Sequence, residues 1–283
     1  MSQFQFQATS IVENVQLATR IYRVRFEAPE IAAKIKPGQF VMVRISECFD
    51  PLLGRAFALY DVIANENGKP TFVDVVYQVH GKLTSRLKDM EPGQKLEVWG
   101  PLGNGFTLPE TDHLILVAGG IGQTPFLAVA KQVFGLQQYG AGESETSKPK
   151  KVTLCYGART ATDFAGLDDF RATGLDLKIC TEDGSAGYHG LVTALLDQAI
   201  DEGIGQCHVL CCGPEKMMEA VSELTGKRTV PCQVSLETPM ACGIGICFTC
   251  VAPVRQEDGS WDYKRTCVEG PIFDACEIAW DQA

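Results

Sequence analysis

Near residue 108 the hydrophobic pattern of this chain changes period, and no single layer of secondary structure serves both sides of the change. From about residue 8 to 105, short runs alternate apolar and polar side chains: TRIYRVRFEA, QFVMVRIS, RAFALYDVI, PTFVDVVYQV and KLEVWGP. Successive side chains of a strand point to opposite faces, so the alternation predicts half-buried strands. Turn signals at Lys36-Pro37-Gly38-Gln39, Asn65 to Pro70 and Glu91-Pro92-Gly93-Gln94 separate them. Evenly spaced short strands with such punctuation predict an antiparallel β-barrel, with LTSRLKDM as a brief helix between two strands.

Beyond the change, each apolar strand-like run is followed by a helical one. HLILVAGG precedes TPFLAVAKQVFGLQQY, KVTLCYGAR precedes DFAGLDDFRAT, LDLKICTED precedes LVTALLDQAI, and CHVLCCG precedes PEKMMEAVSELTG. Such repeats predict an α/β domain with a doubly wound parallel sheet, whose ligands lie at the carboxyl ends of the strands. The polar stretch from Tyr139 to Lys151 reads as a solvated loop. From about residue 231 neither pattern continues and cysteines take over. The expected organisation is a barrel over 1–107, an α/β domain over 108–230 and a small cysteine-centred domain over 231–283.

A chain of 283 residues is larger than one hydrophobic core usually supports, which agrees with several units. Its 45% hydrophobic and 21% charged content excludes a disordered or collagen-like chain. A formal charge of −10 argues against general nucleic-acid binding, while leaving room for local phosphate pockets. The opening MSQFQFQATS lacks basic and apolar blocks, and the longest apolar run, near Leu114 to Ile121, is too short to span a bilayer. A cytoplasmic protein with no membrane or nucleic-acid partner is the expectation.

The chain carries twelve cysteines without the small size or leader of a disulfide scaffold. Cys48, Cys155, Cys180, Cys207, Cys211, Cys212, Cys232 and Cys276 are scattered, several in strand-like runs, and read as small buried hydrophobes. The run ETPMACGIGICFTCV differs: it spaces Cys242-x4-Cys247-x2-Cys250, and Cys267 follows after sixteen more residues. Four thiolates from one tight loop and one return strand suit a [2Fe–2S] cluster, and this is the leading spacing of plant-type ferredoxins; the spacing leaves the fourth ligand open, since Cys276 lies nine residues beyond Cys267. Gly243 and Gly245 fit a loop that needs left-handed backbone angles and close amides. A four-cysteine zinc site would use the same ligands, although zinc ribbons usually present two Cys-x2-Cys pairs.

Two further regions are suited to phosphates. In the barrel, Arg55-Ala56-Phe57-Ala58 follows a turn, and Gly81-Lys82-Leu83-Thr84-Ser85 opens the short helix. An arginine fork, free amides and hydroxyls can hold a pyrophosphate, and Phe57 with Tyr77 can cover an aromatic ring. In the α/β region, Ala118-Gly119-Gly120-Ile121-Gly122-Gln123-Thr124-Pro125 follows the first strand, with Thr124 and Pro125 as a natural helix start. Cys212-Gly213-Pro214 ends the last strand of the same sheet, where a second ligand contact is expected. The Gly-x-Gly-x-x-Gly fingerprint is absent. His80, His113, His189 and His208 show no ligand spacing, and no residue presents itself as a general acid or base.

Taken in order, Arg55-Ala56-Phe57-Ala58, Gly100-Pro101-Leu102-Gly103-Asn104-Gly105-Phe106, GGIGQTP and CGP resemble the ferredoxin–NADP reductase superfamily, in which a barrel holds a flavin and an α/β domain a nicotinamide nucleotide. Within it, MACGIGICFTCV followed by RTCVEGPIFDACEIAW is similar to the iron–sulfur flavoproteins that serve as electron-transfer subunits of dihydroorotate dehydrogenase. The resemblance covers essentially the whole chain. It implies FAD on Arg55, Ala56, Phe57 and Ala58, with Val76, Tyr77 and Gln78 along the flavin and Gly81, Leu83 and Thr84 at its pyrophosphate. It implies NAD, as an exchangeable substrate, near Gly119, Gly120, Gly122, Thr124, Pro125, Cys212, Gly213 and Pro214, and [2Fe–2S] on Cys242, Cys247, Cys250 and Cys267. Superfamily members usually carry Ser or Thr at the position of Ala58, so a backbone group or water has to serve there.

Nicotinamides move electrons in pairs and iron–sulfur clusters singly, which places a flavin between them. The resemblance implies a relay from an FMN-containing catalytic partner through the cluster and FAD to NAD+, in pyrimidine (UMP) biosynthesis, within a heterotetramer. The same barrel, α/β domain and cysteine loop also occur in subunits of NADH-dependent ferredoxin:NADP oxidoreductases and of sulfide or polysulfide reductases. A zinc-bound adaptor without redox function is the alternative of a different class.

Overall fold

The computed structural model describes residues 4–140 and 148–282, so residues 141–147 of the expected loop lie outside the described residues. Six strands form the first unit: β1 (Gln5–Ala18), β2 (Ile21–Glu27), β3 (Phe40–Ile45), β4 (Arg55–Ala64), β5 (Pro70–Gln78) and β6 (Lys95–Leu102). They close in the order β1-β2-β5-β4-β3-β6. Helix α1 (Pro29–Ala32) follows β2, and α2 (Lys82–Leu87) joins β5 to β6, where the short helix was expected. Inward residues such as Val24, Phe26, Val41, Leu59, Val75, Tyr77 and Val98 fill the barrel.

The longest strand is the one that alternation does not mark. β1 pairs with β6 through Gln5–Ser10 and with β2 through Ile11–Ala18, and its register slips between Ile11 and Glu13 and again between Gln16 and Ala18. Each irregularity shifts which side chains face inward, so the sequence over β1 shows no continuous period of two.

The second unit contains β7 (His113–Gly119), α3 (Phe126–Val133), β8 (Lys151–Ala158), α4 (Leu167–Thr173), β9 (Asp176–Thr181), the two-residue β10 (Tyr188–His189), α5 (Val192–Asp201), β11 (Cys207–Cys212) and α6 (Glu215–Lys227). The chain continues through β12 (Cys232–Ser235), β13 (Val251–Arg255), β14 (Trp261–Arg265) and β15 (Ile272–Asp274). A seven-stranded sheet runs β10-β9-β8-β7-β11-β12-β15, parallel except for β15. The sheet therefore extends past residue 230 through β12 and β15, strands too short to carry a readable period. β13 and β14 form a separate hairpin, and the cysteine loop lies between β12 and β13.

Strand order reverses between β7 and β11, which makes their carboxyl ends the switch point where ligands bind in such sheets. The barrel is fixed to this unit chiefly through β4. Buried Asp61 pairs with Lys131 of α3 and accepts a hydrogen bond from the Tyr139 hydroxyl at 2.6 Å. The Tyr60 hydroxyl donates to Asp169 of α4, and Gln137 donates to the Val62 carbonyl at 2.6 Å. Burial, reinforced by these carboxylates, pushes both tyrosine hydroxyls far above their ordinary range, so they remain donors at every working pH.

Candidate functional site

At the switch point the two glycine motifs pack directly on each other. A Cβ on Gly122 would stand 2.3 Å from the Cys212 carbonyl oxygen, and one on Gly213 would stand 3.0 Å from the Gly119 nitrogen. Only glycine permits this approach, which brings the ends of β7 and β11 together. Gly120 differs from its neighbours: it has φ +53°, and nothing lies within 4 Å of the place a side chain would take. The motif thus presents open backbone beside a closed turn. Thr124 and Pro125 lead directly into the first helix, with Pro125 at its N-cap position. A 3-10 turn over Gly120–Gln123 comes first, α3 begins at Phe126, and no side chain caps it. Thr124 is buried in this turn.

Gln123, which the sequence did not single out, is fully buried, and neither its amide oxygen nor its nitrogen has a partner among the described residues. A buried amide without hydrogen bonds is costly, so Gln123 is an orphan that a bound molecule or ordered water has to satisfy. Its only sequence signal was being a long polar residue inside a glycine turn.

In the barrel, Arg55 opens β4 at the surface and donates to the carbonyls of Leu53 and Gly54, at 3.1 and 2.9 Å. Ala58 pairs with Phe40 of β3. Phe57 and Tyr77 lie 5.9 Å apart, but Tyr77 belongs to the barrel core, stacks on Tyr22 and donates to Asn14 at 3.1 Å. Burial pushes its hydroxyl well above the usual value. Val76 faces the opposite way, toward the α/β unit, and Gln78 is exposed. At α2 the Thr84 hydroxyl accepts from the His80 and Gly81 amides at 2.9 and 3.1 Å, so it acts as an internal cap. Leu83 is buried beneath it, while the Cβ position of Gly81 is open. Open backbone at Gly81 and Gly120, an arginine at a strand end and an orphaned amide fit a flavin nucleotide and a nicotinamide nucleotide.

The cysteine loop has two sides. Cys250 and Cys267 are buried with sulfurs 3.1 Å apart, in an apolar cluster with Phe40, Met42 and Leu102 of the barrel. Burial and the neighbouring Cys250 push the Cys267 thiol up to about 12. Cys247 is exposed; the Thr249 hydroxyl and amide, with Cys242 behind them, hold its thiol down to about 6. Cys242 accepts from the Ile244 amide at 3.4 Å. Left-handed angles at Gly243 (φ 72°) and Gly245 (φ 84°) curl the chain around these sulfurs, and a Cβ at either would meet Met42 or Val268 at 2.6 Å. Phe248 also has positive φ, at 57°. Arg265 holds that strained tip, donating to the Gly245 carbonyl at 3.1 Å and covering the Phe248 ring at 5.2 Å.

The four thiols stand as two pairs. Among the described residues no three His, Cys, Asp or Glu side chains close on one metal-ion position. An all-thiol donor set, with Cys242 beside Cys247 and Cys250 beside Cys267, fits a [2Fe–2S] cluster. His113 and His208 are core residues, paired with Thr153 at 2.8 Å and Gln233 at 3.2 Å and held below their ordinary pKa by burial.

Three family models match the chain: "Oxidoreductase FAD-binding domain" over residues 8–106, "Oxidoreductase NAD-binding domain" over 116–223, and "Iron-sulfur cluster binding domain of dihydroorotate dehydrogenase B" over 237–279. The chain is similar to the dihydroorotate dehydrogenase B (NAD(+)) electron transfer subunit of Caldanaerobacter subterraneus subsp. tengcongensis, at 36% identity covering 95% of this chain and 96% of that protein. It is similar to the same subunit of Desulforamulus reducens at 33% identity, covering 94% and 95%. Among solved structures, a chain of an NADH-dependent reduced ferredoxin-NADP oxidoreductase superposes with a TM-score of 0.79 at 28% identity, covering 97% of this chain and 90% of that one. The ferredoxin reductase of carbazole 1,9a-dioxygenase shares the fold, with a TM-score of 0.66 at 20% identity over 81% and 67%.

Proposed function

This chain belongs to the family of dihydroorotate dehydrogenase B electron-transfer subunits, and from that premise we propose that it carries electrons from a dihydroorotate-oxidising partner to NAD+ in pyrimidine (UMP) biosynthesis. The observation that carries this reading is the two-sidedness of the cysteine loop: Cys250 and Cys267 are buried on the barrel, and Cys247 opens to solvent beside exposed Ile246, Phe248 and Val268. Filled with FAD, [2Fe–2S] and NAD, these sites supply hydride exchange at the flavin and single-electron exchange at the cluster.

The chain's own residues bind, orient and shield. Arg55 and the open turn at Gly81, with Leu83 and Thr84 of α2, would hold the flavin pyrophosphate, and strands β4 and β5, through Ala56, Phe57, Ala58, Val76, Tyr77 and Gln78, would frame the rest of that site. Gly119, Gly120, Gly122, Thr124, Pro125, Cys212, Gly213 and Pro214 shape the nicotinamide site. Cys242, Cys247, Cys250 and Cys267 ligate the cluster. No side chain here contacts dihydroorotate, whose chemistry belongs to the partner.

That partner is an FMN-containing catalytic subunit, docked on the apolar rim around Cys247 in a cytoplasmic heterotetramer; among the described residues no helix is long and apolar enough to cross a membrane. Residues 1–107, 108–230 and 231–283 are the three functional domains. A second reading is a subunit of an NADH-dependent ferredoxin:NADP oxidoreductase, favoured by the superposition on such a chain. Anaerobic affinity capture from the native cell separates the two. A co-eluting flavin subunit and NADH formation that requires added dihydroorotate are expected. An eluate loaded with flavin and iron that ignores dihydroorotate, and reduces ferredoxin with a pyridine nucleotide, overturns the first reading.

A further inference from the structure

Trp99 stands on the outer face of β6, opposite the inward Val98. It packs, as Ala56 does, against the apolar cluster of Phe40, Met42, Leu102, Cys250 and Cys267. Across the sheet Met42 pairs with both Trp99 and Ala56, so Ala56, Met42 and Trp99 form a row from the flavin-site strand to the cysteine loop. The indole connects the two ends of this row. Its N–H donates to the Cys242 carbonyl at 2.9 Å. Its far edge occupies the space beside Gly54, where a Cβ would stand 2.7 Å from the ring. Gly54 immediately precedes Arg55. One side chain therefore touches the residue immediately before the flavin strand and the backbone of the first cysteine.

This contact bears on the loop's electrostatics as well as its position. The Cys242 carbonyl belongs to the same peptide unit as the Gly243 amide, and a hydrogen bond accepted at one end of a peptide strengthens the donor at the other. Amides of this loop point at sulfur, as the Ile244 amide does at Cys242. Hydrogen bonds around ligating sulfurs orient ligands and tune a cluster's potential. A half-buried indole N–H also requires a partner, and among the described residues Trp99 donates to the Cys242 carbonyl alone.

We propose that Trp99 is a positioning residue for electron transfer, holding the Cys242–Cys250 loop in register with the flavin strand through the Cys242 carbonyl. The proposal rests on the reading of the four cysteines as cluster ligands. The test compares Trp99→Phe, which keeps a ring but removes the N–H, with Trp99→His, which returns a ring N–H, in the assembled complex. Flavin, iron and acid-labile sulfide content, the paramagnetic resonance of the reduced cluster, its midpoint potential, and NADH oxidation by a flavin-reactive dye are measured beside dihydroorotate-dependent NAD+ reduction.

In Trp99→Phe the cofactor content and dye activity are expected to match the parent. Its resonance and potential shift, and electron delivery through the cluster falls about fivefold, the equivalent of one neutral hydrogen bond. Trp99→His recovers part of that loss. An unchanged resonance and rate in Trp99→Phe overturns the proposal, as does loss of flavin or iron in both variants, which would mark Trp99 as packing alone. A parent protein without stoichiometric acid-labile sulfide is a separate failure, that of the cluster assignment itself.

Discussion

Cys211 and Cys250 are both buried, at 0% and 1% exposure, yet one is inert filling and the other a candidate ligand. Cys211 sits mid-strand on β11, its backbone paired with Val117 on one side and Val234 on the other, in the same apolar cluster as both valines. Burial pushes its thiol well above the ordinary range. Cys155 and Cys232 share this situation on β8 and β12, each pushed up to about 12. Cys250 ends a loop whose glycines turn left-handed, and its sulfur meets that of Cys267. Burial does not separate the two groups; backbone does. A strand spaces its side chains along one line at alternating faces, whereas a loop with positive φ can fold several onto one point.

The comparison can be broken most forcefully at Cys250. Cys250→Ser is expected to reduce electron delivery to or from a partner by more than the ~10- to 100-fold typical of losing an outer-shell metal contact. NADH oxidation by a flavin-reactive dye should stay near the parental rate at equal flavin content. Equal loss of both activities would mean that the loop and the nucleotide unit do not act separately.

An intermediate effect is expected from Gly122→Ala on the other side of the comparison. The new methyl would meet the Cys212 carbonyl at 2.3 Å, forcing the ends of β7 and β11 apart. A stability loss of about 2–3 kcal/mol and about a tenfold rise in KM for NADH are expected, with the cluster absorbance unaltered. Unaltered nicotinamide kinetics would detach the switch point from the nucleotide site.

The smallest effect sharpens the role of the sheet thiols. Cys211→Ala should cost about 1 kcal/mol at pH 7 and leave iron content intact. An unfolded thiol ionises near pH 9, while folded Cys211 keeps its proton well above that. Above pH 9 the folded state binds more protons, so this contribution is complete below pH 9 and declines as pH rises, by about 1.4 kcal/mol per unit. Denaturant titrations from pH 8 to 11 should therefore show a shallower decline for Cys211→Ala than for the parent. Parallel slopes would contradict a protonated core thiol.

Much of this division was legible in the residues themselves. Alternation marked β2 to β6, strand–helix repeats marked β7 to α6 apart from the two-residue β10, and cysteine spacing singled out Cys242, Cys247, Cys250 and Cys267, because each signal is local. β1 escaped because its register slips reset the period, and β12 and β15 because four and three residues hold no period at all. Gln123 and Trp99 escaped for a different reason. Their significance lies in unmet or long-range hydrogen bonds, across 143 positions for Trp99, and no local pattern reports these.

Placing β12 and β15 side by side has an entropic consequence. The cysteine loop and the β13–β14 hairpin form an excursion whose two stems are hydrogen-bonded neighbours, Ser235 opposite Ile272. The Ser222 hydroxyl of α6 donates to the Ala275 carbonyl at 3.0 Å, fastening the return stem. The entropy of closing that excursion is thereby offset in part by the sheet. With its stems paired, the excursion gathers the four thiols at a smaller entropic cost than a free loop of the same length.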